Sequence, residues 1–288
     1  MPNHDQVNLR YYGLINTETS HKATHFRVHW ICKHVAGQKV LDIGCSQGIT
    51  SILLGREGFD VTGIDLEETS IHYANEELKK ESMLVQDKVK FYLHDASLSD
   101  KSIGKFDTVI LGEVLEHFSH PHKILKTVHS SLQDKGLVLI TVPFGYHSFH
   151  DHKQSFYIGN LSYLLDLYFD EIKLEVHHKY ICYVGRKRGR IKSIIGSQYT
   201  PKQLKRWMNL NEECFLLIEK KNEELLLERK QRLEVKNNQI KELNKQIEQM
   251  NKQIEWCTLQ LMRTVNDNEL PTLQEENNSK EQLKSDKE

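Results

Sequence analysis

The sequence predicts an α/β protein built on an open, seven-stranded, mostly parallel sheet with helices on both faces, followed by a C-terminal coiled-coil helix. Two observations lead to this prediction. Between residues 40 and 184, short apolar runs alternate with amphipathic stretches, which is the pattern of strands joined by crossover helices. From Leu226 onward, apolar residues recur every seven positions, which is the pattern of a coiled coil.

Seven apolar segments have the length and composition of strands. In chain order they read KVLDIG, DVTGID, VKFYLHD, FDTVILGE, GLVLITVP, EIKLEVHH and KYICYVGR. The amphipathic segments between them, which we interpret as helices, read QGITSILLGREG, EETSIHYANEELKKES, HPHKILKTVHSSLQDKG and NLSYLLDLYF. A further helix, ATHFRVHWICKHVAG, precedes the first strand, and we expect it to end at Gly37 because glycine commonly follows the last residue of a helix.

The chain changes character after Val184, where the basic stretch GRKRGRIK begins. Beyond it a heptad has apolar residues at its a positions, Leu226, Leu233, Ile240, Ile247, Ile254 and Leu261, and later at its d positions, Leu243, Met250 and Cys257. Isoleucine at a with leucine at d favours a parallel dimer, so we expect a homodimer through this helix. The alternative is a single solvated helix packed on the body.

These features predict four segments along the chain. A globular domain covers residues 1–190, a basic linker 191–205, a helical coiled-coil region 206–262 and a disordered tail 263–288. The tail is polar and charged and almost free of aromatic residues, a composition that does not support a packed core.

Charge and cysteine content limit the class of protein. A net charge of -1 with 27% charged residues argues against a chain built around attraction to nucleic acid or to an acidic membrane. Five cysteines without a C-x-x-C pair are typical of reduced thiols. No signal sequence begins the chain, and no run of about 18 apolar residues suggests a membrane span. We therefore expect a soluble, cytoplasmic protein without a transmembrane segment.

The turn DIGCSQG after the first strand has the glycine spacing of a ligand-binding turn, with glycines at positions 44 and 48. It lacks the G-x-G-x-x-G pattern of dinucleotide-binding folds, and no Gly-Lys-Ser/Thr follows it as in a P-loop. The spacing therefore argues against a nucleotide phosphate as the ligand of this turn.

The same turn resembles that of class I S-adenosylmethionine-dependent methyltransferases, and the resemblance covers roughly residues 25–185. It implies a Rossmann-like domain that binds S-adenosyl-L-methionine. For the methionine part of the cofactor it implies Asp42, Gly44, Cys45, Ser46 and Gly48. For the adenosyl part it implies Asp65 on the ribose hydroxyls, Leu66 under the adenine, and Asp95 and Ala96 at the adenine amino group. Ser46 departs from the family, which commonly has a glycine there.

The stretch FDTVILGEVLEHFSHPHKIL is the most family-like part of the chain. It is similar to the group that contains ubiquinone-biosynthesis O-methyltransferases, bacterial sugar and glycan methyltransferases, and small-RNA 3′-terminal 2′-O-methyltransferases. In this group E-V-L-E-H follows the fourth strand at the edge of the pocket. The resemblance, together with the later stretch HDHKQSF, implies Glu113, His117 and His152 as catalytic residues.

A metal site is a further hypothesis for this stretch. Glu113, Glu116 and His117 stand at i, i+3 and i+4, which would place them on one face of a helical turn and suit a divalent ion such as Mg²⁺. In the RNA 2′-O-methyltransferases a later histidine completes such a site, and here His147, His150 and His152 are available. The alternative is that Glu113 contacts the cofactor, Glu116 pairs on the surface and a histidine alone acts as the base.

The sequence favours O-methylation of a small molecule or of a sugar or glycan. Methylation of the 3′-terminal ribose of RNA is the second interpretation, supported by EVLEH plus a later histidine and disfavoured by the net charge. A third interpretation, from another class, is a coiled-coil scaffold with a vestigial methyltransferase domain. The joint presence of Asp42, Gly44, Asp65 and Asp95 argues against that scaffold.

Overall fold

The computed structural model describes residues 6–15, 17–96, 104–146, 151–193 and 199–285, with side chains up to residue 265. Its helices are α1 (Val7–Tyr11), α2 (Glu18–His34), α3 (Ile49–Arg56), α4 (Glu68–Leu78), α5 (Met83–Lys88), α6 (Pro121–Ser131), α7 (Ile158–Asp166) and α8 (Pro201–Ser285). Its strands are β1 (Lys39–Ile43), β2 (Asp60–Asp65), β3 (Val89–Leu93), β4 (Phe106–Gly112), β5 (Leu132–Pro143), β6 (Phe169–His177) and β7 (Tyr180–Lys187).

The seven strands form one sheet in the order β3-β2-β1-β4-β5-β7-β6, which confirms the predicted sheet. Strands β1 to β5 are parallel to one another, whereas β7 runs antiparallel to its neighbours β5 and β6. The strand order reverses at β1, which lies between β2 and β4. In open α/β sheets, ligands bind outside the carboxyl ends of the strands at such a reversal, so the fold directs attention to the residues after β1, β2 and β4.

Both faces of the sheet are covered by helices, as predicted. One buried cluster packs residues of α6 and α7, such as Val128 and Leu161, against the sheet. A second cluster packs residues of α2 to α5, such as Trp30 and Ile52, against the other strand faces. A small third cluster of Val7, Tyr11, Val28 and Ile49 joins α1 to α2 and α3.

Several element boundaries differ from the prediction. The helix expected to continue to residue 136 ends at Ser131, because Leu132 already pairs with Phe106 as the first residue of β5. Helix α2 ends at His34, three residues before Gly37. The short helices α1 and α5 have no counterpart in the prediction, since one or two turns give too little periodicity to recognise.

The C-terminal helix also differs from the prediction. It begins at Pro201 instead of residue 206, and its backbone is helical to Ser285, where a disordered tail was expected from residue 263. Glutamine, glutamate, lysine and leucine, which are frequent in the tail, are good helix formers. The expected linker 191–205 has no regular structure at residues 191–193 and 199–200, and residues 194–198 lie outside the described part.

The chain divides into two compact units, residues 1–218 and residues 219–288. The first part of α8 belongs to the first unit, because Trp207 and Cys214 are buried in the main core and Asn211 accepts a hydrogen bond from the backbone N–H of Ile158 at 3.1 Å. The first unit therefore extends beyond the boundary that we predicted at residue 206. Among the described helices, none combines the length and apolar content that a membrane crossing needs.

Candidate active site

The turn after β1 is held in place by hydrogen bonds to β2. The backbone N–H groups of Gly44 and Cys45 both donate to the carbonyl of Ile64, at 2.8 and 3.1 Å. Gly44 has a φ of +71°, and a Cβ added to it would lie 2.5 Å from Cγ2 of Val114. Glycine is therefore required at position 44 both by the backbone conformation and by the segment that follows β4.

The other residues predicted for this turn are Cys45, Ser46 and Gly48. Gly48 is the N-cap of α3 with a φ of +84°, as expected for the residue that begins the helix. Cys45 is buried, and Ser46, which replaces the family's middle glycine, has a φ of +48°. The Ser46 hydroxyl is buried without a hydrogen-bond partner in the described part of the chain. A serine whose backbone lies in the left-handed region and whose buried hydroxyl lacks a partner is a feature found in turns that receive a ligand.

Asp65 at the end of β2 connects the two loops that surround the predicted cofactor site. Its Oδ2 accepts the backbone N–H of Ser46 at 2.8 Å, and its Oδ1 accepts that of Glu67 at 2.9 Å. A carboxylate has about four lone-pair positions, so each oxygen can accept more than one hydrogen bond. Asp65 thus orders the turn from the carboxyl end of the sheet.

Asp42 takes a different place from the other predicted cofactor residues. It is 4% exposed and accepts a hydrogen bond from the hydroxyl of Ser51 at 2.7 Å. Burial, together with the negative charge of Asp65, raises the pKa of Asp42 to about 6, while the Ser51 bond acts in the opposite direction. Asp42 therefore stabilises the region of the turn through its buried hydrogen bond with Ser51 of α3.

The residues predicted for the adenine lie at the ends of β2 and β3. Leu66 is 64% exposed directly after Asp65, which leaves an apolar side chain available for a planar ligand. Ala96 is buried, and Asp95 precedes it just after β3. Asp42 lies near the end of β1, Asp65 is the last residue of β2 and Asp95 follows β3, so the three acids lie at the ends of neighbouring strands.

Arg27 is a residue of this region that the sequence analysis missed. It lies on the buried face of α2, is only 9% exposed, and its Nη1 would be 3.3 Å from a Cβ added to Gly112 at the end of β4. Its guanidinium carbon is 5.7 Å from the centre of the Tyr180 ring. Its positive charge lowers the pKa of Asp42 and of Glu116, against the larger effect of burial. The sequence offered one indication of Arg27, because an arginine on the apolar face of a predicted helix is unusual.

The EVLEH segment does not form the α-helical turn that the spacing predicted. Only Leu115–His117 is helical, as a 3₁₀ turn, and Glu113 precedes it with a φ of +62°. The backbone N–H of Glu113 donates to the carbonyl of Thr141 on β5 at 2.9 Å. Glu113 therefore does not share a helical face with Glu116 and His117, and the predicted three-residue face is not formed.

Glu116 is the most unusual acid of the segment. It is 2% exposed, and neither carboxylate oxygen has a hydrogen-bond partner within the described residues. Burial and the nearby charge of Glu113 raise the pKa of Glu116 well above its ordinary value. A buried carboxyl without protein partners is costly for the fold, which points to a ligand or proton that Glu116 receives from elsewhere.

Two histidines approach Glu116. Glu116, His117 and His152 each offer one possible ligand atom, and these three atoms lie within 4.8 Å of one another. The ring centres of His117 and His152 are 5.0 Å apart, and the angle between the ring planes is 87°. Glu113 is not part of this three-member group. His147 and His150, the other histidines considered for this site, lie outside the described residues.

Backbone hydrogen bonds bring His152 to this position. The N–H groups of Lys153 and Gln154 both donate to the carbonyl of Glu116, at 2.7 and 3.3 Å. The side-chain amide of Gln154 donates to the carbonyl of Phe118 at 2.6 Å. The loop after β5 is closed at its base by the bond from the N–H of Gly145 to the carbonyl of Phe156, at 2.6 Å. Together these bonds join the loop to the 3₁₀ turn.

One carboxylate and two imidazoles form a donor set that can hold a divalent metal. Imidazole nitrogen suits transition metals such as Mn²⁺, Fe²⁺ or Zn²⁺, whereas Mg²⁺ prefers oxygen donors alone. The chemistry of Glu116, His117 and His152 therefore fits a transition-metal ion better than the Mg²⁺ suggested by the sequence.

Comparison with known proteins agrees with this geometry. A family profile described as a methyltransferase domain matches residues 21–211, which is more than half of the chain. The chain is 30% identical to a ubiquinone biosynthesis O-methyltransferase of Acinetobacter baylyi over 124 residues, covering 42% of this chain and 51% of that protein. It is 32% identical over 141 residues to the ubiquinone biosynthesis O-methyltransferase of Psychrobacter arcticus, covering 43% and 54%. The chain thus spans about half the length of the curated relatives it matches.

Solved structures share the fold at low sequence identity. The N-methyltransferase NodS of Bradyrhizobium japonicum, crystallised with S-adenosyl-L-homocysteine, aligns with a TM-score of 0.51 at 15% identity, covering 65% of this chain and 93% of that one. The [4+2]-cyclase SpnF aligns with a TM-score of 0.50 at 15% identity, covering 60% and 83%. Because a cyclase also has this fold, the fold alone does not establish the reaction.

Proposed function

The chain belongs to the methyltransferase domain family, as a class I S-adenosylmethionine-dependent methyltransferase, and from this premise we propose that it O-methylates a small molecule or a sugar or glycan. The observation that carries the proposal is Glu116, a buried acid that has no hydrogen-bond partner among the described residues and lies beside two histidines. Transfer to a hydroxyl requires removal of its proton, and this cluster supplies groups that take protons. The O-methyltransferase relatives give further support for oxygen as the methylated atom.

S-adenosyl-L-methionine is the cofactor of the family, and when bound it supplies an electrophilic sulfonium methyl group. The residues present fit it. Asp65 is a carboxylate at the end of β2 that suits the ribose hydroxyls, and the exposed Leu66 suits the adenine face. The Ser46 hydroxyl, which has no hydrogen-bond partner among the described residues, suits a polar group of the cofactor. We propose that Arg27 provides the positive charge for the carboxylate of the methionine part, because it is a buried guanidinium close to Asp42 and the end of β4.

In the proposed mechanism His117 or His152 accepts the proton of the acceptor hydroxyl. Glu116 places a buried carboxyl group within 4.8 Å of a ring nitrogen of each histidine, and burial and the charge of Glu113 raise its pKa. The hydrogen bonds from Lys153 and Gln154 to the carbonyl of Glu116 keep His152 beside the 3₁₀ turn, where it can align the acceptor. Glu113, at the same edge, is placed to contact either the cofactor or the acceptor.

A metal-assisted version of this mechanism uses the same residues. Glu116, His117 and His152 would hold a divalent ion, which when bound would lower the pKa of the acceptor hydroxyl. The two versions differ in what they require of Glu116. As a metal ligand it must be ionised, whereas as a support for a histidine base it can stay protonated.

The test of the proposed function is methyl transfer to defined acceptors. Purified protein is incubated with S-adenosylmethionine and a panel of hydroxylated aromatics, sugar nucleotides and a 3′-terminal RNA, and S-adenosylhomocysteine formation is followed with and without Mn²⁺. Turnover with an aromatic or sugar hydroxyl that is lost in His117→Ala supports the proposal. Binding of the cofactor with no turnover on any hydroxyl acceptor contradicts it and favours the scaffold interpretation.

RNA 3′-terminal 2′-O-methylation is the second candidate. The group of Glu116, His117 and His152 favours it, because a metal site of this kind was the feature that connected the sequence to the RNA enzymes. The net charge of -1 disfavours it, since RNA binding relies on basic surfaces. Methyl transfer to the RNA acceptor and to no other acceptor of the panel would support this candidate.

We also propose that the protein is a cytoplasmic homodimer. The C-terminal helix supports self-association because its apolar heptad residues, including Ile240 and Ile247, are more than half exposed in the single chain. Cytoplasmic location is consistent with five free cysteines.

A further inference from the structure

Three consecutive heptads in α8 repeat almost unchanged. Residues 240–260 read IKELNKQ, IEQMNKQ and IEWCTLQ. The a positions are Ile240, Ile247 and Ile254, and they are 53%, 55% and 60% exposed. The d positions are Leu243, Met250 and Cys257, and these are exposed as well. A regular apolar stripe on a solvated helix is a surface for a second helix, because a single helix gains no burial from it.

The positions that flank this stripe carry no charge. The e positions are Asn244, Asn251 and Thr258, and the g positions are Gln239, Gln246, Gln253 and Gln260. Charged residues occupy outward positions and pair within the helix, as Lys252 does with Glu248 at 2.9 Å. Charges at e and g set partner choice, and like charges there repel an identical chain. Their absence favours a second copy of this chain as the occupant of the stripe.

We infer that two copies pair in parallel and in register over Ile240–Leu261, so that Cys257 faces Cys257 of the partner subunit. This inference rests on the proposed homodimer and specifies its geometry. β-branched isoleucine at a with leucine at d is the combination typical of parallel two-stranded coiled coils. In that arrangement each a residue meets its own copy, and so does each d residue, whereas antiparallel helices pair a with d.

The basic residues before Ile240 define where the paired region begins. In the two preceding heptads the d positions are Arg229 and Lys236, although the a positions Leu226 and Leu233 remain apolar. A parallel, in-register pair would bring each of these side chains against its own copy, and like charges at the seam are destabilising. The close contact therefore starts at Ile240 and does not extend to Leu226.

Cys257 makes the inference testable with one native residue. Of the five cysteines, Cys257 is exposed, Cys32 is half-buried, and Cys45, Cys182 and Cys214 are buried. A disulfide needs the two Cβ atoms about 3.5–4.5 Å apart. Parallel, in-register pairing brings the two Cys257 residues together, whereas an antiparallel pair centred on these heptads places them near opposite ends of the seam.

The experiment uses the full chain, with light scattering for mass and non-reducing electrophoresis after treatment with diamide. Diamide takes two electrons and two protons from the two thiols as the sulfur–sulfur bond forms. We expect a dimer in solution that becomes covalent on oxidation, and a Cys257→Ser variant that stays dimeric without the covalent link. Leu243→Cys in the Cys257→Ser background should restore the link at another d position. Lys245→Cys in that background is the control, because position 245 faces outward.

The outcomes distinguish the parallel pairing of the two helices from the formation of the homodimer itself. A dimer that shows no covalent link in either the Cys257 or the Leu243→Cys chain would overturn parallel pairing while leaving the homodimer intact. A monomeric mass for the full chain at micromolar concentration would overturn both. Equal linkage in the Lys245→Cys chain would show that the links arise from collision, and would also overturn the inference.

Discussion

The backbone N–H of Ser46 donates to Oδ2 of Asp65 at 2.8 Å, which joins the turn after β1 to the end of β2. The other oxygen of Asp65 accepts the N–H of Glu67 at 2.9 Å. One carboxylate thus orders two loops that belong to different strands. Hydrogen bonds within the chain therefore order the proposed cofactor site.

Asp65→Ala is expected to weaken S-adenosylmethionine binding by about 2–4 kcal/mol, because charge-assisted hydrogen bonds to the ribose hydroxyls are lost and the turn loosens. Isothermal titration calorimetry measures the effect. Asp65→Asn, which keeps one acceptor oxygen, should lose less. Asp134→Ala, at an exposed acid on β5, is the matched control. Unchanged affinity in Asp65→Ala would remove this residue from the site.

Glu116 should make stability depend on pH in a direction opposite to that of most acids. The pKa of Glu116 is raised in the folded protein. Its contribution to the free energy of unfolding is therefore complete below the pKa of the unfolded chain, near 4.5, and declines as the pH rises towards the folded pKa. Asp42, with a pKa raised to about 6, adds to the decline between about pH 4 and 6. Urea unfolding of wild type and Glu116→Gln at pH 5 and 8 should show the variant gaining relative stability at pH 8. A difference that does not change with pH would contradict the raised pKa.

Divalent metal should stabilise the wild type through the same residue. Mn²⁺ is expected to raise the melting temperature, and the increase should disappear in Glu116→Gln and shrink in His152→Ala, because each variant removes a proposed ligand. Glu57→Gln, at an exposed acid, should respond as the wild type does. If Mn²⁺ has no effect and activity survives a chelator, a histidine base is the better mechanism, and His→Ala should then reduce the rate by about 10²–10⁴.

Gln154→Ala is expected to reduce turnover while leaving cofactor affinity unchanged. The Gln154 amide donates to the carbonyl of Phe118 at 2.6 Å, and this contact helps to hold the loop that carries His152. Steady-state kinetics together with calorimetry separate the two effects. Gln133→Ala on β5 is the control. Loss of cofactor binding in Gln154→Ala would show that the loop forms part of the cofactor site instead.

Two truncations test where the catalytic unit ends. A chain ending at residue 222 keeps Trp207 and Cys214, which are buried in the main core, and should be a stable monomer that binds the cofactor. A chain ending at residue 205 loses both and should unfold at a clearly lower temperature. Light scattering and thermal melts distinguish them. A dimeric 222-residue chain would place the subunit contact on the body instead of the heptads.

The centre of the sheet was predictable because β1 and β4 are buried on both faces and read as nearly continuous apolar runs, such as VLDI and TVIL. The boundary between α6 and β5 was not, because Leu132 serves equally well as the last apolar residue of a helix or the first of a strand. Only its pairing with Phe106 decides between them.

The candidate site was partly predictable for the same kind of reason. Acids at strand ends are visible in the sequence, and Asp65 lies where the pattern placed it. The i, i+3, i+4 spacing of Glu113, Glu116 and His117 was misleading, since the left-handed backbone at Glu113 separates it from the turn that follows. Arg27 was missed because its role depends on the contact of α2 with the end of β4, and such a contact is not local in sequence.

The loop after β5 is held chiefly by backbone groups: the N–H of Gly145 to the carbonyl of Phe156, and the N–H of Lys153 to the carbonyl of Glu116. Main-chain bonds of this kind persist when side chains change. Mutations in this loop that keep His152 are therefore expected to alter which acceptor is admitted while leaving the proposed catalytic cluster in place, so new acceptor preferences can evolve in small steps. For protein engineering, the residues of this loop other than His152 are the ones to randomise or to exchange between relatives.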